Sequence, residues 1–282
     1  MTSPKSPIGG HVPVAGGLAT GGLKYAAEIG AEAVQVFVSN PRGWALPEGK
    51  PAEDALMRDQ EIPVYVHTSY LVNVGSPTPE TLTKSIASIR HSLQRGHAIG
   101  AKGVVVHTGS SVTQTYEAAL DQVREHVLPL LDEIPEDGPD LLLEPMAGQN
   151  NMLCAKVQEL GPFFERLENH PKLGVCFDTC HAFAAGHDLS TPGGVTETID
   201  ALVETVGEGR LRLIHANDSK DPCGSGRDRH ENIGTGHIGE KPFAELFHHP
   251  AVAGVPFIIE TPGRNPTPHG QDIKTLKRLR TT

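Results

Sequence analysis

A short apolar run, Gly174-Val175-Cys176-Phe177, ends in Asp178, and His181 follows three residues later. Carboxylate oxygen and imidazole nitrogen both ligate zinc and related divalent ions, so the pair offers two groups suited to one metal. Alone, such a pair more often marks a structural aspartate beside a polar histidine. The pattern recurs, however. Apolar runs along the chain end at His67, His107, Glu144, His215 and Glu260, and Asp228-Arg229-His230 adds an Asp-x-His pair in a long polar segment. Five histidines and four carboxylates are too many ligands for one tetrahedral ion and suit two or three. Close-set cations on oxygen-rich ligands favour displacement at phosphorus, where they hold both the attacking and the leaving oxygen.

These residues need elements that bring them together. Apolar runs rich in β-branched residues alternate with helix-period stretches, the pattern of βαβ units and a parallel sheet. The spacing predicts strands at Pro7–His11, Ala33–Phe37, Pro63–His67, Gly103–His107, Asp140–Glu144, Leu173–Asp178, Leu211–Ala216 and Pro256–Glu260. Helices are predicted at Leu18–Ile29, Ala52–Gln60, Pro79–Ile99, Thr113–Ile134, Met152–Leu167, Val195–Val206, Lys241–Phe247 and Gln271–Arg280. Eight strand–helix pairs point to an α/β fold, a single (β/α)8 TIM barrel spanning residues 1–282, with its site at the C-terminal ends of the strands. Six of those tips would then carry a candidate ligand, with His181 in the loop just past the sixth strand. That much negative charge without compensating Lys or Arg calls for cations. Asn217–Gly239 reads as a long, functional βα loop. Gly16-Gly17 and Gly21-Gly22 resemble a phosphate cradle but lack the Lys-Ser/Thr ending, and close backbone packing is the better reading.

Composition narrows the class. The chain has 282 residues and no apolar run of the roughly 20 residues that would span a bilayer. Met1–Gly10 lacks a signal-peptide pattern, so the expectation is a cytoplasmic protein. Cys154, Cys176, Cys180 and Cys223 fit no disulfide framework and read as free thiols. The net charge of −10 argues against a nonspecific nucleic-acid coat, although three divalent cations would offset part of it and make one site locally positive.

The chain also resembles the endonuclease IV family of abasic-site DNA-repair nucleases. The resemblance runs from Gly10 to about Thr261 and rests on several long motifs in the family's order. These are His11-Val12 with Ala15-Gly16-Gly17-Leu18, Val106-His107-Thr108-Gly109-Ser110, Gly174 to Ala185, Ile214-His215-Ala216-Asn217-Asp218, and Asp228 to Gly239. The resemblance implies three zinc ions, with manganese an alternative at one site. His67 and His107 would hold the first, and Glu144 would bridge it to a second completed by Asp178, His215 and Glu260. His181, Asp228 and His230 would hold the third. A hydroxide shared by the first two ions, with Glu144 and Glu260 as catalytic carboxylates, would cut double-stranded DNA 5′ to an abasic site. The products would be a 3′-hydroxyl and a 5′-deoxyribose phosphate, with 3′-end trimming a further activity. A monomer with no protein or membrane partner is expected. Two departures stand out. Pro145-Met146 replaces the frequent Asn-Thr before Ala147-Gly148-Gln149, and Thr68 stands where an Asp commonly orients the preceding histidine, so His67 needs another partner.

For DNA contact, Ser39-Asn40-Pro41-Arg42-Gly43-Trp44 offers a cation and an aromatic on a stiffened turn, and Tyr70-Leu71 follows closely on a ligand. Such side chains suit a wedge between bases, and the resemblance implies insertion by Arg42, Tyr70 and Leu71. Trp44 reads equally as loop packing. His11 and His237 lie near the expected site, as contacts or as rim packing. His187, His248 and His249 are expected in solvent, and His91, His97, His126 and His170 on helices or helix ends. Val175 and Phe177 should face the helices while Cys176 faces the barrel interior, two residues below the tip. A sugar isomerase or epimerase on the same barrel is the alternative enzyme, and a damage-binding protein without turnover is the alternative outside enzymes.

Overall fold

A computed structural model describes residues 4–149, 151–263 and 265–282. Eight parallel strands close into a barrel: β1 (Ile8–His11), β2 (Val34–Phe37), β3 (Val64–His67), β4 (Gly103–His107), β5 (Asp140–Glu144), β6 (Leu173–Asp178), β7 (Leu211–His215) and β10 (Phe257–Ile259). Two short strands, β8 (Asp218–Ser219) and β9 (His230–Glu231), form a separate hairpin between the last two. Each barrel strand lies beside its neighbour in sequence, and β10 pairs with both β7 and β1 to complete the ring. The helices are α1 (Gly22–Ile29), α2 (Pro51–Arg58), α3 (Pro79–Ala98), α4 (Tyr116–Asp132), α5 (Leu160–Arg166), α6 (Thr179–Ala184), α7 (Gly194–Val206), α8 (Glu240–His248) and α9 (Pro266–Leu279). The predicted barrel is therefore present, with strand ends within a residue or so. Among the described residues, no helix is long and apolar enough to cross a membrane.

Strand alternation splits the core in two. Ala33, Tyr65, Val105, Leu142, Cys176, Leu213 and Ile258 form one buried cluster inside the barrel. Their neighbours, Val175 and Phe177 among them, pack with the helices in the other. Tyr65 is accommodated because β4 offers Gly103 beside it: a Cβ there would come within 3.2 Å of the Tyr65 ring and 2.6 Å of the Leu142 side chain.

Three predicted helices change. The first starts only at Gly22, because Gly16 and Gly17 turn at positive φ and the Ala19 and Thr20 amides donate to Glu53 on α2. That carboxylate fills the glycine-rich turn, which accounts for the missing phosphate signature. Helix Met152–Leu167 shrinks to a 3₁₀ turn at Val157–Glu159 followed by α5. Its first residues are drawn across to neighbouring loops: the Leu153 amide donates to the Gly109 carbonyl, and the Cys154 carbonyl accepts from the Met146 amide. Helix α9 begins at Pro266, earlier than Gln271, because Asn265 caps it by accepting from the Thr267 amide.

The chain ends are clasped by Glu32, which accepts from the Ile8 amide on β1 and pairs with Lys277 and Arg280 at the end of α9. Burial works against the Glu32 charge, but the Arg280 and Lys277 hydrogen bonds hold its pKa down at about 2. The folded value lies below the unfolded one, so the stabilisation is complete above about pH 4.5 and lost as pH falls through about 2. Glu32 is a third exposed, which screens the pair. Glu32→Gln should therefore cost about 1–2 kcal/mol at pH 7, and the gap should narrow as urea unfolding is repeated from about pH 5 down to about pH 3. Equal midpoints of parent and variant at pH 7 would refute the clasp.

Candidate metal centre

The barrel's inner alternation continues upward into the site. Two residues above each interior side chain, on the same face, stand Gln35, His67, His107, Glu144, Asp178, His215 and Glu260. His11 completes the ring on β1, above Gly9. All six strand-tip ligands predicted from sequence are thus brought together, and two further residues join them.

Pairwise distances divide the ligands into groups. His67 Nε2 and His107 Nε2 lie 3.2 and 3.5 Å from Glu144 Oε2. The other Glu144 oxygen, Oε1, is 3.1 Å from His215 Nδ1, which in turn sits 3.5 Å from Glu260 Oε2 and 3.8 Å from Asp178 Oδ2. Glu144 therefore faces two groups at once. In the third, Asp228 reaches His181 Nε2 at 3.3 Å with one oxygen and His230 Nε2 at 3.2 Å with the other. Asp178 Oδ2, 3.6 Å from His230 Nε2, stands between the second and third groups.

These distances fit shared cations. Two ligand atoms about 2.1 Å from a tetrahedral ion lie about 3.4 Å apart, and the pairs above scatter around that value. His230 Nε2 is buried without a hydrogen-bond partner among the described residues and points into the third group. The outward nitrogens are held: His67 Nδ1 by the Thr68 carbonyl at 2.8 Å, His230 Nδ1 by the Glu260 carbonyl at 3.1 Å, and His215 Nε2 by Gln35 Oε1 at 2.8 Å. Fixing one ring nitrogen this way leaves the other's lone pair free for a cation. His181 likewise presents Nδ1 to the Pro145 carbonyl at 3.0 Å and Nε2 to Asp228. The Thr68 departure is thereby answered, since its main-chain carbonyl orients His67, and the Pro145 carbonyl orients His181 in the same way.

Local structure differs from expectation around His181. It lies not in a loop but on the short helix α6, whose N-terminus Asp178 caps by accepting from the His181 amide at 2.9 Å. One turn of helix thus fixes the spacing of two ligands. Asn217 donates to Asp178 Oδ2 at 2.8 Å and accepts from the Glu260 amide at 2.8 Å, tying three strand tips together. The long seventh loop is also ordered, because β8 pairs antiparallel with β9 inside it.

Electrostatics reflects the crowding. Burial opposes the charge on Glu144, yet His215 and His107 hold its carboxyl well below the usual range. Burial pulls His107 down to about 4 against Glu144, leaving it neutral near pH 7. His230 goes the other way: Asp178 and Asp228 overcome burial and raise it to about 9, and they likewise raise His181. Cation entry must displace those protons. The buried Cys180 thiol also approaches Asp228 and His230. Burial pushes its pKa up, and that of Cys176 to about 12, so both stay neutral and weak ligands.

Sequence reasoning passed over Gln35 and left His11 open. Gln35 donates to Glu260 Oε1 at 2.7 Å, and His11 Nδ1 meets the same oxygen at 2.9 Å. The strand parity that placed Cys176 inside the barrel would have found both.

Beside the cluster, the second and third loops lock together through Tyr70 N and Ser69 Oγ, which both donate to the Pro41 carbonyl at 3.0 Å. Tyr70 stacks on His107 with ring centroids 5.9 Å apart and is 47% exposed, and Leu71 and Arg42 are exposed next to it. Trp44 is half-buried beneath the Lys84 ammonium, tied to α3. His237 is exposed, on the rim of the seventh loop. Two histidines expected in solvent are not free: His187 Nε2 accepts from the Val157 amide, and buried His249 pairs with Asp200.

A model of the xylose isomerase-like TIM barrel family matches residues 23–281. The chain is 60% identical to a probable endonuclease 4 of Streptomyces coelicolor, covering 98% of this chain and 96% of that one. Among solved structures it is similar to endonuclease IV from Thermus thermophilus, with a TM-score of 0.84 and 33% identity over 97% of this chain and 98% of that one. A D-tagatose 3-epimerase-like protein superposes with a TM-score of 0.72 at 18% identity over 98% of each chain, a likeness of fold alone.

Proposed function

The chain belongs to the endonuclease IV family, and from that premise we propose that it hydrolyses the DNA backbone 5′ to abasic sites in base excision repair. The products are a 3′-hydroxyl and a 5′-deoxyribose phosphate, and 3′-end trimming is a further activity of the same site. The observation that carries this reading is the set of nine side chains whose ligand atoms stand 3.1–3.8 Å apart at one end of the barrel. His67, His107 and Glu144 would hold one zinc ion, Glu144, Asp178, His215 and Glu260 a second, and His181, Asp228 and His230 a third, with manganese an alternative at one of the three. When bound, the ions supply Lewis-acid polarisation of the phosphate and an acidified water.

The chain's own residues do the rest. Gln35, Asn217 and the carbonyls of Thr68 and Glu260 set ligand orientation. Arg42, Tyr70 and Leu71 would contact DNA at the lesion and bring the phosphate to the cluster, with the protein acting as a monomeric single domain. An epimerase on this fold has no evident use for the third group, and a binding protein without turnover would be expected to lack a ligand that this site retains.

Purified without chelator, the protein should contain about three ions per chain, mostly zinc. It should nick a duplex bearing one abasic site to leave extendable 3′ ends. His230→Ala should lose about one ion and keep the others. A single metal per chain in the parent would overturn the trinuclear reading and favour the epimerase.

A further inference from the structure

Asp218 follows the ligand His215 by three residues and is fully buried, yet main-chain amides alone satisfy it among the described residues. Its Oδ1 accepts from Ser219 N at 2.7 Å and Ile238 N at 2.9 Å, and its Oδ2 from Gly234 N at 2.9 Å and Gly236 N at 3.1 Å. The Gly239 amide leans on both oxygens, at 3.4 and 3.2 Å. Five main-chain N–H donors thus surround the carboxylate and occupy the positions a cation would need.

The position of this carboxylate matters more than its charge. The 218–219 segment pairs on one side with β9, where Ser219 faces His230, and on the other with the Ser219 carbonyl accepting from the His237 amide. Lys220 N donates to the Arg229 carbonyl, continuing the pairing toward Asp228. The 234–239 turn can wrap the carboxylate only because Gly236 has no side chain: a Cβ there would lie 2.3 Å from the Ser219 carbonyl oxygen and 2.5 Å from Asp218 Oδ1. The outer part of the loop is held separately, by Gly224 and Gly226 amides donating to the Phe183 and Ala184 carbonyls and by the Arg229–Asp221 pair. What Asp218 fixes is the base of the hairpin, from which His230 projects.

We propose that Asp218 is a positioning residue for the third cation: its buried carboxylate gathers the amides of 234–239 and so sets the hairpin register that places His230 and Asp228 against His181. This rests on the reading of those three residues as ligands of one ion. Asp218 touches neither ion nor substrate, so its removal should weaken one site while every ligand remains present.

The test is zinc content of Asp218→Asn in a metal-buffered dialysis series, beside parent and His230→Ala, with amide hydrogen exchange on each. In Asp218→Asn, one carboxylate oxygen becomes an NH₂ facing N–H donors. The third ion should bind about 10- to 100-fold more weakly, with the other two retained. High free zinc should restore it in this variant and not in His230→Ala. Amides of 230–239 should exchange faster while those of the barrel strands do not. Gly236→Ala, which presses on the same carboxylate without changing charge, should give the same selective loss and decides the matter where Asp218→Asn does not fold. Unchanged third-ion affinity in the folded variants would overturn the proposal while His230→Ala still loses an ion. If His230→Ala loses none, the ligand reading itself fails and takes the proposal with it.

Discussion

Glu260→Gln should lower turnover on a single-abasic-site duplex on the order of 10³-fold, about 4 kcal/mol of transition-state stabilisation, while the duplex still binds within a few-fold of the parent. The substitution keeps size and backbone. The Glu260 amide remains anchored on Asn217, and the variant's carbonyl oxygen can occupy the Oε1 position, where Gln35 donates at 2.7 Å and His11 lies at 2.9 Å. That choice forces the new NH₂ into the Oε2 position, 3.5 Å from His215 Nδ1, where a lone pair and a negative charge are needed. The parent carboxylate is held ionised there: burial opposes it, but His215 and His11 pull its pKa well down. An amide offers neither charge nor ligand on that side, and the second ion's field on the phosphate changes accordingly. Binding should survive because Arg42 and Tyr70, the proposed DNA contacts, sit on other loops. Single-turnover cleavage, duplex titration and metal content read together would separate the effects. Turnover comparable to the parent would mean that Glu260 does not serve the reacting phosphate.

Tyr70→Ala should weaken binding of abasic duplex by about 5- to 150-fold, corresponding to the roughly 1–3 kcal/mol of one aromatic–base stack, with much less loss on intact duplex. The protein is acidic, with 24 Lys and Arg against 34 Asp and Glu, so nonspecific phosphate attraction supplies little. Selectivity then depends on the lesion, which costs less to unstack and bend than an intact pair. Tyr70 is placed to exploit that gap. One side of its ring stacks on His107 and meets Phe37 edge-on at 5.3 Å, yet nearly half the residue remains exposed beside Leu71. Packing from below makes the ring a rigid wedge with little rotamer freedom left to lose on binding. Metal content should not change, because Tyr70 meets the His67 and His107 rings by packing alone, while the Thr68 carbonyl holds His67 by a hydrogen bond. The measurement is Kd for both duplexes at one salt concentration. Equal losses on the two, with metals intact, would show that Tyr70 does not read the lesion.

Much of this site was legible before any coordinates. Apolar runs ending in His, Asp or Glu located the strand tips, because a buried parallel strand must be apolar and its C-terminal end is where a barrel exposes polar groups. Parity within a strand placed Cys176 inside and Phe177 outside, as the two core clusters confirm. The same parity applied to Ala33 turns Gln35 inward beside Glu260, but a neutral amide lies outside the Cys, His, Asp and Glu donors typical of zinc and so does not mark itself by residue type. From sequence His181 reads as loop, because six residues are too few for helical periodicity to register and the Asp178 cap that ends β6 and starts α6 is a single hydrogen bond.

The sequence alone marked which side chains could bear the chemistry and that they would converge, since both follow from residue type and local alternation. Only the tertiary structure decided how they are grouped. Whether Glu144 faces two groups, and Asp178 stands between two, depends on barrel register and closure, which couple residues as far apart in sequence as Ile8 and Phe257. It also decided what orients them. The acceptors for His67, His181 and His230 are main-chain carbonyls of Thr68, Pro145 and Glu260, and the donors around Asp218 are main-chain amides. Every carbonyl and nearly every amide is chemically alike, whatever the residue, so the letters of the sequence carry no mark of these partners until the chain has folded.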